Sequence, residues 1–321
     1  MMQDITLTRR WPSVVERDMQ DYGNVHLNEQ DVPFDDAALA KALQESDILC
    51  PTVTDNLSGE LLLADGVKTR LIANFGVGFN HIDIKAAQAR GIHVTNTPGV
   101  LTDATAEIAL TLLLTIARRT AEGERHLRSG NWMGWRPTHM LSTQVTGKTL
   151  GIIGMGRIGT ELARKARHGL GMRIVYYNRS QIPESVTVEL SAQRMELDAL
   201  LNTSDFVSLH CPSTPQTQHM IDAGALGNMQ RHAYLINTSR GDVVDEQALV
   251  NALENGVIAG AGLDVYEQEP KLADGLNQLE NVVLLPHMGS GTAETREAMG
   301  RCALRNVGAF VNGRQLPNEV C

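Results

Sequence analysis

Short apolar runs separated by a helical pattern mark the first hundred residues. Strands are predicted at residues 48–53, 70–75 and 92–96, because each run is apolar and bounded by turn or polar residues. A helix is predicted over residues 82–90, and Gly91 ends it. These elements form a complete α/β unit early in the chain.

The same alternation continues through the rest of the chain. The further strand candidates are residues 148–153, 173–177, 206–210, 233–237, 260–264 and 282–285. The helical candidates are residues 102–119, 161–166, 246–255 and 293–312. Alternation of this kind predicts parallel sheets with right-handed crossovers. Because 321 residues exceed what one hydrophobic core usually supports, we expect two domains.

Composition excludes several classes of protein. Apolar residues make up 42% and charged residues 20%, which is ordinary for a globular protein, and a net charge of −9 argues against nucleic-acid binding. The longest apolar stretch, residues 108–117, is too short to span a bilayer, and no secretory signal is expected. Four cysteines without pairing or metal-ligand spacing predict free thiols in a reducing cytoplasm and no metal site.

A glycine-rich hexad, Gly154-Met155-Gly156-Arg157-Ile158-Gly159, lies between a predicted strand and a predicted helix. In this context the first glycine allows a tight turn, the second lets a pyrophosphate approach the backbone, and the third lets the helix pack closely on the strand. The free N–H groups at the start of the helix favour negative charge. The hexad is therefore predicted to bind a dinucleotide, with Arg157 as a local cation.

The residues after the next strand indicate which dinucleotide binds. An NAD site places Asp or Glu here to accept a hydrogen bond from the ribose 2′-hydroxyl. This chain has Asn178-Arg179-Ser180 instead, and Asn178 lies 19 residues after Gly159. Without the acid a 2′-phosphate meets no repulsion, and Arg179 can pair with it. NADP(H) is the predicted cofactor, with NAD(H) as the alternative. The competing interpretation is that Arg179 is a solvated surface arginine.

The position of the glycine hexad suggests the domain arrangement. The hexad begins at residue 154, too late for a cofactor domain at the N-terminus. We expect a cofactor domain over residues 99–286, inserted into an outer, substrate domain made of residues 1–98 and 287–321. The chain would cross between the domains at two adjacent hinges, Pro98-Gly99 and Pro286-His287.

Three charged residues follow predicted strand ends, where ligands bind in sheets of this type. His287 suits a proton donor for a developing alkoxide, and Arg240 suits a bidentate clamp on a carboxylate. Glu269 would stabilise the protonated imidazole. The set predicts reduction of a carbonyl group. Taken singly, Arg240 also fits a structural salt bridge, Glu269 a surface acid, and His287 a hydrogen-bonded histidine at a strand end.

Together these motifs resemble the D-isomer-specific 2-hydroxyacid dehydrogenases, in order and over nearly the whole chain. The matching segments are residues 74–78, 151–159, 209–212, 236–241, 262–266 with 269–270, and 285–290. The resemblance implies an α/β fold of two doubly wound parallel-sheet domains, a Rossmann cofactor domain inserted into a discontinuous, flavodoxin-like substrate domain. It also implies a homodimer.

The resemblance further implies roles for individual residues. Arg240 would bind the substrate, His287 would bind it and act as acid and base, and Glu269 would be the partner of His287. Val77 and Gly78 would donate backbone hydrogen bonds to the substrate carboxylate at an interdomain cleft. The further cofactor contacts that it implies are Thr105, Cys211, Thr238, Asp264 and Gly289.

Two loops need separate interpretation. Trp135 lies in a segment resembling a reductase loop whose tryptophan reaches the partner subunit's cleft, and simple packing at the subunit interface is the alternative. His81, shortly after Gly78, could touch substrate, but we expect it in a capping environment at the start of the following helix. Within the family, Asn178-Arg179-Ser180 resembles the NADP-using glyoxylate and hydroxypyruvate reductases.

The function implied is reversible reduction of a small 2-oxo acid, glyoxylate or hydroxypyruvate, to the D-2-hydroxy acid by NADPH. Phosphite dehydrogenases share the same Arg, Glu and His set, so they stay an alternative, as does a short phosphoglycerate dehydrogenase. Formate dehydrogenases pair their histidine with a glutamine, whereas this chain has Glu269. Dinucleotide-sensing corepressors share the fold, but a corepressor role would require a peptide-binding cleft and disordered tails.

Overall fold

The computed structural model describes residues 2–321. The chain divides into two compact units: a first unit up to Leu101 that is completed by Gly291–Cys321, and a second unit of Thr102–Ser290. The sequence placed the two crossings after residues 98 and 286, and the units divide after residues 101 and 290. His287 therefore groups with the second unit, where hydrogen bonds to Asp264 hold the two residues that follow it.

The first unit contains a five-stranded sheet in which every pairing is parallel. Its strands are β1 (Gln3–Leu7), β2 (Gly23–Leu27), β3 (Ile48–Cys50), β4 (Leu71–Ala73) and β5 (His93–Thr95). The spatial order is β2-β1-β3-β4-β5, which is the flavodoxin-like order. The helices between the strands are α1 (Ser13–Met19), α2 (Asp36–Glu45), α3 (Gly59–Leu63) and α4 (Ile84–Ala89).

The first sheet is covered on both faces. Successive side chains of a strand point to opposite faces, and β3 shows the consequence. Ile48 and Cys50 belong to a core cluster that includes Met299 of the C-terminal helix. Leu49 belongs to a second cluster, which contains Leu43 of α2. The result is the doubly wound arrangement that the sequence analysis expected.

The second unit contains a seven-stranded sheet, also parallel throughout. Its strands are β6 (Thr149–Ile153), β7 (Arg173–Tyr177), β8 (Gln193–Arg194), β9 (Phe206–Leu209), β10 (Tyr234–Asn237), β11 (Gly260–Leu263) and β12 (Val282–Leu284). The order β12-β11-β10-β9-β6-β7-β8 is the Rossmann order with one added strand. Strand order reverses between β6 and β9, so the loops that follow these two strands are neighbours.

The helices of the second unit alternate with its strands, and the C-terminal helix follows them. They are α5 (Thr102–Ala117), α6 (Thr120–Arg128), α7 (Arg157–Leu170), α8 (Glu184–Leu190), α9 (Leu197–Thr203), α10 (Ala223–Asn228), α11 (Glu246–Glu254) and, in the first unit, α12 (Ala293–Val311). Helix α5 ends before the predicted residue 119, because Arg119 takes a left-handed conformation with φ 53°.

The expected fold class is confirmed, although several short elements were not predicted. Strands β1 and β2 alternate polar and apolar positions, but each does so over only five residues with two large apolar side chains, and β8 has two exposed residues, so the three strands give a weak signal in the sequence. Within residues 2–321 no helix combines the length and the apolar character needed to cross a bilayer. No group of three or more His, Cys, Asp or Glu side chains in this part of the chain could hold a metal ion.

Candidate active site

The glycine turn between β6 and α7 has a shape that only glycine allows at two positions. Gly154 has φ +93°, and a Cβ there would lie 2.5 Å from the backbone nitrogen of Cys211. A Cβ on Gly159 would lie 2.7 Å from the carbonyl oxygen of Gly154, so the helix could not pack as closely on the turn. These contacts agree with the tight-turn and close-packing roles expected from the sequence.

Gly156 differs from the other two glycines, because nothing lies within 4 Å of the position a Cβ would take. It is the N-cap of α7 and provides no side-chain cap. The first N–H groups of an α-helix have no partner within the helix. An open face beside uncapped N–H groups suits the pyrophosphate of a dinucleotide.

Two buried polar atoms at neighbouring strand ends lack a partner among residues 2–321: the Thr238 hydroxyl and Nδ1 of His210. Burial lowers the pKa of His210 to about 4, so this imidazole is neutral near pH 7. Buried polar groups are normally hydrogen-bonded. Together with the open glycine turn, these two atoms make the carboxyl edge of the sheet fit a bound dinucleotide.

Cys211 and Arg179 approach each other at the same edge. Burial raises the pKa of the Cys211 thiol to about 11, and the positive charge of Arg179 acts in the opposite direction. Asn178 donates from its side-chain amide to the carbonyl oxygen of Ser180 at 3.0 Å, which closes the turn after β7. The turn is therefore ordered and carries Arg179 toward the loop that follows β9.

His287 and Glu269 form a pair, with Nδ1 of the imidazole 2.7 Å from Oε2 of the carboxylate. Burial raises the pKa of Glu269, but the hydrogen bond and charge of His287, the N–H of Tyr266 and the charge of Arg240 outweigh it and lower that pKa below 4.5. The side chains are 32% and 29% exposed, so the pair is reachable from solvent. The structure thus brings together the predicted acid and its partner.

The backbone at His287 is held in the left-handed region, with φ 55°. A non-glycine residue in such a conformation costs on the order of 1–3 kcal/mol and persists only where its surroundings impose it. Asp264 accepts hydrogen bonds from the N–H groups of Met288 at 2.6 Å and Gly289 at 2.7 Å, and the Thr105 hydroxyl donates to the Gly289 carbonyl at 2.9 Å. Three predicted cofactor residues thus fix the turn that presents His287.

The loop carrying Glu269 is anchored by two residues that the sequence analysis did not predict as site residues. Tyr266 donates its N–H to Oε1 of Glu269 at 3.0 Å and its hydroxyl to the carbonyl of Leu285 at 2.7 Å. Glu246 accepts a hydrogen bond from the N–H of Glu267 at 2.8 Å, and burial raises its own pKa. The contacts of the Tyr266 hydroxyl and of Glu246 span 19 and 21 positions and follow no periodic pattern.

Arg240 follows β10 in a turn that Asn237 organises. The Asn237 side chain donates to the Arg240 carbonyl at 2.9 Å and accepts from the N–H of Ser239 at 3.0 Å. Burial lowers the pKa of Arg240, and the charges of Glu269 and Asp242 raise it. A guanidinium that remains charged beside Glu269 can bind a second carboxylate brought by a ligand.

The first unit presents a different kind of site, at residues 76–78. Asn74 donates to the carbonyls of Gly76 at 3.2 Å and Gly78 at 3.0 Å, and Asn96 donates to the carbonyl of Val77 at 2.8 Å. With these carbonyls held, the N–H groups of Val77 and Gly78 donate to no atom of residues 2–321. Neighbouring free N–H groups of this kind can bind an anion.

His81 lies two residues before the residue that caps α4, so it is close to the start of that helix. Asp83 caps α4 by accepting a hydrogen bond from the N–H of Ala86 at 3.0 Å. His81 instead lies with Nε2 3.1 Å from Oδ1 of Asn74, so it supports the residue that shapes the loop at 76–78. Trp135 lies between α6 and β6 and is 82% exposed.

Comparisons with known proteins agree with this geometry. Residues 110–289 match the family model described as D-isomer specific 2-hydroxyacid dehydrogenase, NAD binding domain. The chain is 45% identical over 324 residues to the glyoxylate reductase of Thermococcus litoralis, covering 100% of this chain and 97% of that one. It is 44% identical over 322 residues to the glyoxylate reductase of Korarchaeum cryptofilum, covering 100% and 96%.

Among solved structures, the chain resembles an NADPH-dependent glyoxylate/hydroxypyruvate reductase from Sinorhizobium meliloti, determined in complex with NADP and malonate. The TM-score is 0.88 at 32% sequence identity, and the match covers 100% of this chain and 97% of that one. The fold is therefore shared over the whole length.

Proposed function

Because this chain belongs to the D-isomer-specific 2-hydroxyacid dehydrogenase family and is an oxidoreductase, we propose that it reduces glyoxylate or hydroxypyruvate with NADPH, reversibly. The product is the 2-hydroxy acid, with the D configuration where C2 becomes a stereocentre. The observation that carries the proposal is the His287–Glu269 pair, 2.7 Å apart, with the Arg240 charge acting on the same carboxylate.

Each residue of the pair has a task in this proposal. Glu269 has a lowered pKa, so near pH 7 it is ionised and stabilises the protonated imidazole through Nδ1. That bond leaves Nε2 as the nitrogen that delivers a proton to the carbonyl oxygen. When bound, the nicotinamide supplies the hydride that the reduction requires. Glu269 also fixes the orientation of the ring, which general acid catalysis needs.

The substrate carboxylate is assigned to two groups of donors. Arg240 provides a planar, charged fork that matches a carboxylate. Val77 and Gly78 provide backbone N–H groups that no other described atom uses. Among the proposed cofactor contacts, Gly154, Gly156 and Gly159 shape the pyrophosphate turn, and Thr238 offers its hydroxyl. Thr105, Asp264 and Gly289 contribute through the turn after His287.

NADPH is proposed over NADH on the basis of Asn178-Arg179-Ser180, where an acid would repel a 2′-phosphate. We further propose a homodimer, because the segment between α6 and β6 exposes large apolar side chains such as Trp132, Met133 and Trp135 at 50%, 85% and 82%. Cys50, Cys211, Cys302 and Cys321 are unpaired, as a cytoplasmic location would require.

Steady-state kinetics with the purified protein test the proposal. Glyoxylate, hydroxypyruvate, pyruvate and phenylpyruvate are each compared with NADPH and with NADH, and phosphite is offered with NADP⁺ in a separate arm. We expect the highest kcat/KM for glyoxylate or hydroxypyruvate with NADPH. A clear preference for NADH would overturn the cofactor assignment. Turnover of phosphite without turnover of any oxo acid would overturn the substrate assignment.

A further inference from the structure

We propose that Arg194 is a second determinant of cofactor specificity, which holds the turn at residues 178–180 and adds a positive charge for the adenosine 2′-phosphate. This inference rests on the proposed use of NADPH. Arg194 lies 15 residues after Arg179 on a two-residue strand, and no motif in the sequence marks it.

The sheet places Arg194 next to the end of β7. Strand β8 pairs in parallel with β7, with Arg194 opposite Tyr176, and the N–H of Met195 donates to the carbonyl of Tyr176 at 2.9 Å. Ligands bind beyond the carboxyl ends of parallel strands. Arg194 therefore lies at the same edge as Asn178, where the adenosine ribose of a dinucleotide is expected.

The Arg194 guanidinium contacts the backbone of the turn at residues 178–180 directly. Its Nη2 donates to the carbonyl of Asn178 at 2.9 Å and lies 3.3 Å from the carbonyl of Arg179. These bonds tie two consecutive peptide units to β8. The turn that carries Arg179 is thereby held before any ligand binds, which reduces the entropy lost on binding.

The remaining donors of Arg194 are not used within the protein. The N–H groups on Nε and Nη1 bond to no atom of residues 2–321, and no carboxylate in this part of the chain forms an ion pair with the guanidinium. Arg164, in contrast, is neutralised by a two-point ion pair with Glu189 at 2.8 and 3.0 Å. Arg194 thus keeps its charge available at the turn.

Arg179 and Arg194 together suit a phosphate better than a ribose hydroxyl. A phosphate monoester carries a charge of roughly −1.5 to −2 near pH 7 and offers three acceptor oxygens. Two guanidinium groups and the Asn178 amide match that charge and those acceptors, whereas a bare 2′-hydroxyl of NADH gains little from cations. We therefore expect Arg194 to act on NADPH and not on NADH.

The test measures nucleotide binding without catalysis, by calorimetric titration with 2′,5′-ADP and with 5′-AMP. Wild-type protein should bind 2′,5′-ADP more tightly. For Arg194→Gln, the affinity for 2′,5′-ADP should fall about tenfold, since charged hydrogen bonds to phosphate are lost, and the affinity for 5′-AMP should stay within about twofold. In steady-state assays kcat/KM should fall about tenfold with NADPH and change little with NADH.

Arg173→Gln is the matched control. It removes the same charge from the amino end of β7, five residues before Asn178, where its side chain bonds to the Thr149 hydroxyl at 2.7 Å. Both nucleotides should bind this variant as they bind the wild type. Arg194→Lys keeps the charge without the fork, so its affinity for 2′,5′-ADP should fall between those of wild type and Arg194→Gln.

The outcomes separate the two proposals. If wild-type protein binds 2′,5′-ADP no better than 5′-AMP, the proposed preference for NADPH fails, and this inference fails with it. If the wild type discriminates and Arg194→Gln discriminates equally well, only the assignment of Arg194 fails. An equal loss of affinity for both nucleotides, or a fall in thermal stability that explains the loss, would show a merely structural role and overturn the inference.

Discussion

Two histidine–glutamate pairs have their glutamates, Glu267 and Glu269, in the same loop. His287 pairs with Glu269 at 2.7 Å, and His219 pairs with Glu267 at 2.8 Å. Both histidines have left-handed backbones, with φ 55° and 48°. By distance and conformation alone, the two pairs would be equally good candidates for acid–base chemistry.

Their surroundings differ. His287 follows β12 in a turn fixed by Asp264, and the charge of Arg240 acts on its partner Glu269. His219 is tied through its N–H to the carbonyl of Asp242 at 2.8 Å, and its side chain is 40% exposed. Of the two pairs, His287–Glu269 is therefore the candidate for acid–base chemistry, because it lies at the ligand-binding edge of the sheet and has a cation, Arg240, near it.

The comparison is tested most strongly by removing each imidazole. His287→Asn should lower kcat by about a thousandfold, within the range lost with a general acid, while 2′,5′-ADP still binds. His219→Asn, the matched control, should keep kcat within about twofold, because its pair takes no part in the proposed proton transfer. Comparable losses of kcat in both variants, measured with glyoxylate and NADPH, would contradict the distinction between the pairs.

Removing the carboxylates should give a smaller effect. Glu269→Gln keeps the shape of the side chain but no longer stabilises a protonated imidazole, so we expect kcat/KM to fall about 10- to 100-fold. Glu267→Gln should leave kcat/KM unchanged. Equal kcat/KM for Glu269→Gln and wild type, measured with glyoxylate and NADPH, would contradict the role of Glu269.

The sequence predicted the fold and the pairing of His287 with Glu269 for a physical reason. Apolar strands and a glycine turn are local patterns, and the ends of parallel strands meet at one edge, so His287 and Arg240 could be placed there without coordinates. The domain crossings were displaced by a few residues, because the hydrogen bonds from Met288 and Gly289 to Asp264 hold that segment in the second unit. These hydrogen bonds join residues 24 and 25 positions apart in the sequence, so no local sequence pattern predicts them.

The residues that sequence reasoning missed act through long-range hydrogen bonds. His219 and Glu267 are 48 positions apart, and the Tyr266 hydroxyl reaches a carbonyl 19 positions away. Arg194 bonds to backbone carbonyls, which every residue carries, so its role leaves no mark in the pattern of side chains. The contact of His81 with Asn74 leaves no pattern for the same reason, since Asn74 belongs to a preceding turn.

One substitution, at Tyr266, removes a hydrogen bond that anchors the loop carrying Glu267 and Glu269. Tyr266→Phe removes the hydroxyl that bonds to the Leu285 carbonyl at 2.7 Å, two residues before His287. We expect the free energy of unfolding to fall by about 1 kcal/mol, as for one lost hydrogen bond, and kcat to fall severalfold because Glu269 and His287 are held less well.

Tyr234→Phe provides the control for this substitution. Its hydroxyl makes one hydrogen bond, to Thr143 at 2.7 Å, and lies at the amino end of β10. The two variants should lose similar stability in urea unfolding, and only Tyr266→Phe should lose kcat. Equal kcat in both variants would mean that the Tyr266 hydroxyl stabilises the fold without positioning the pair.

The smallest expected effect concerns the second pair and the pH dependence of stability. The hydrogen bond that His219 donates to Glu267 raises the pKa of His219 above its ordinary value of 6.5. The pair therefore stabilises the fold fully below pH 6.5, and this contribution is lost as pH rises through the folded pKa. Because the pair is partly exposed, it should contribute only a few tenths of a kcal/mol.

Urea unfolding of wild type and His219→Gln at pH 5.5 and pH 9 measures this contribution. The wild type should be the more stable of the two at pH 5.5, and the difference should vanish at pH 9. A difference that is the same at both pH values would show that the bond holds the loop without a proton-linked charge. His219 would then anchor the loop as a neutral hydrogen-bond donor. The two pairs would then differ only in their place in the fold.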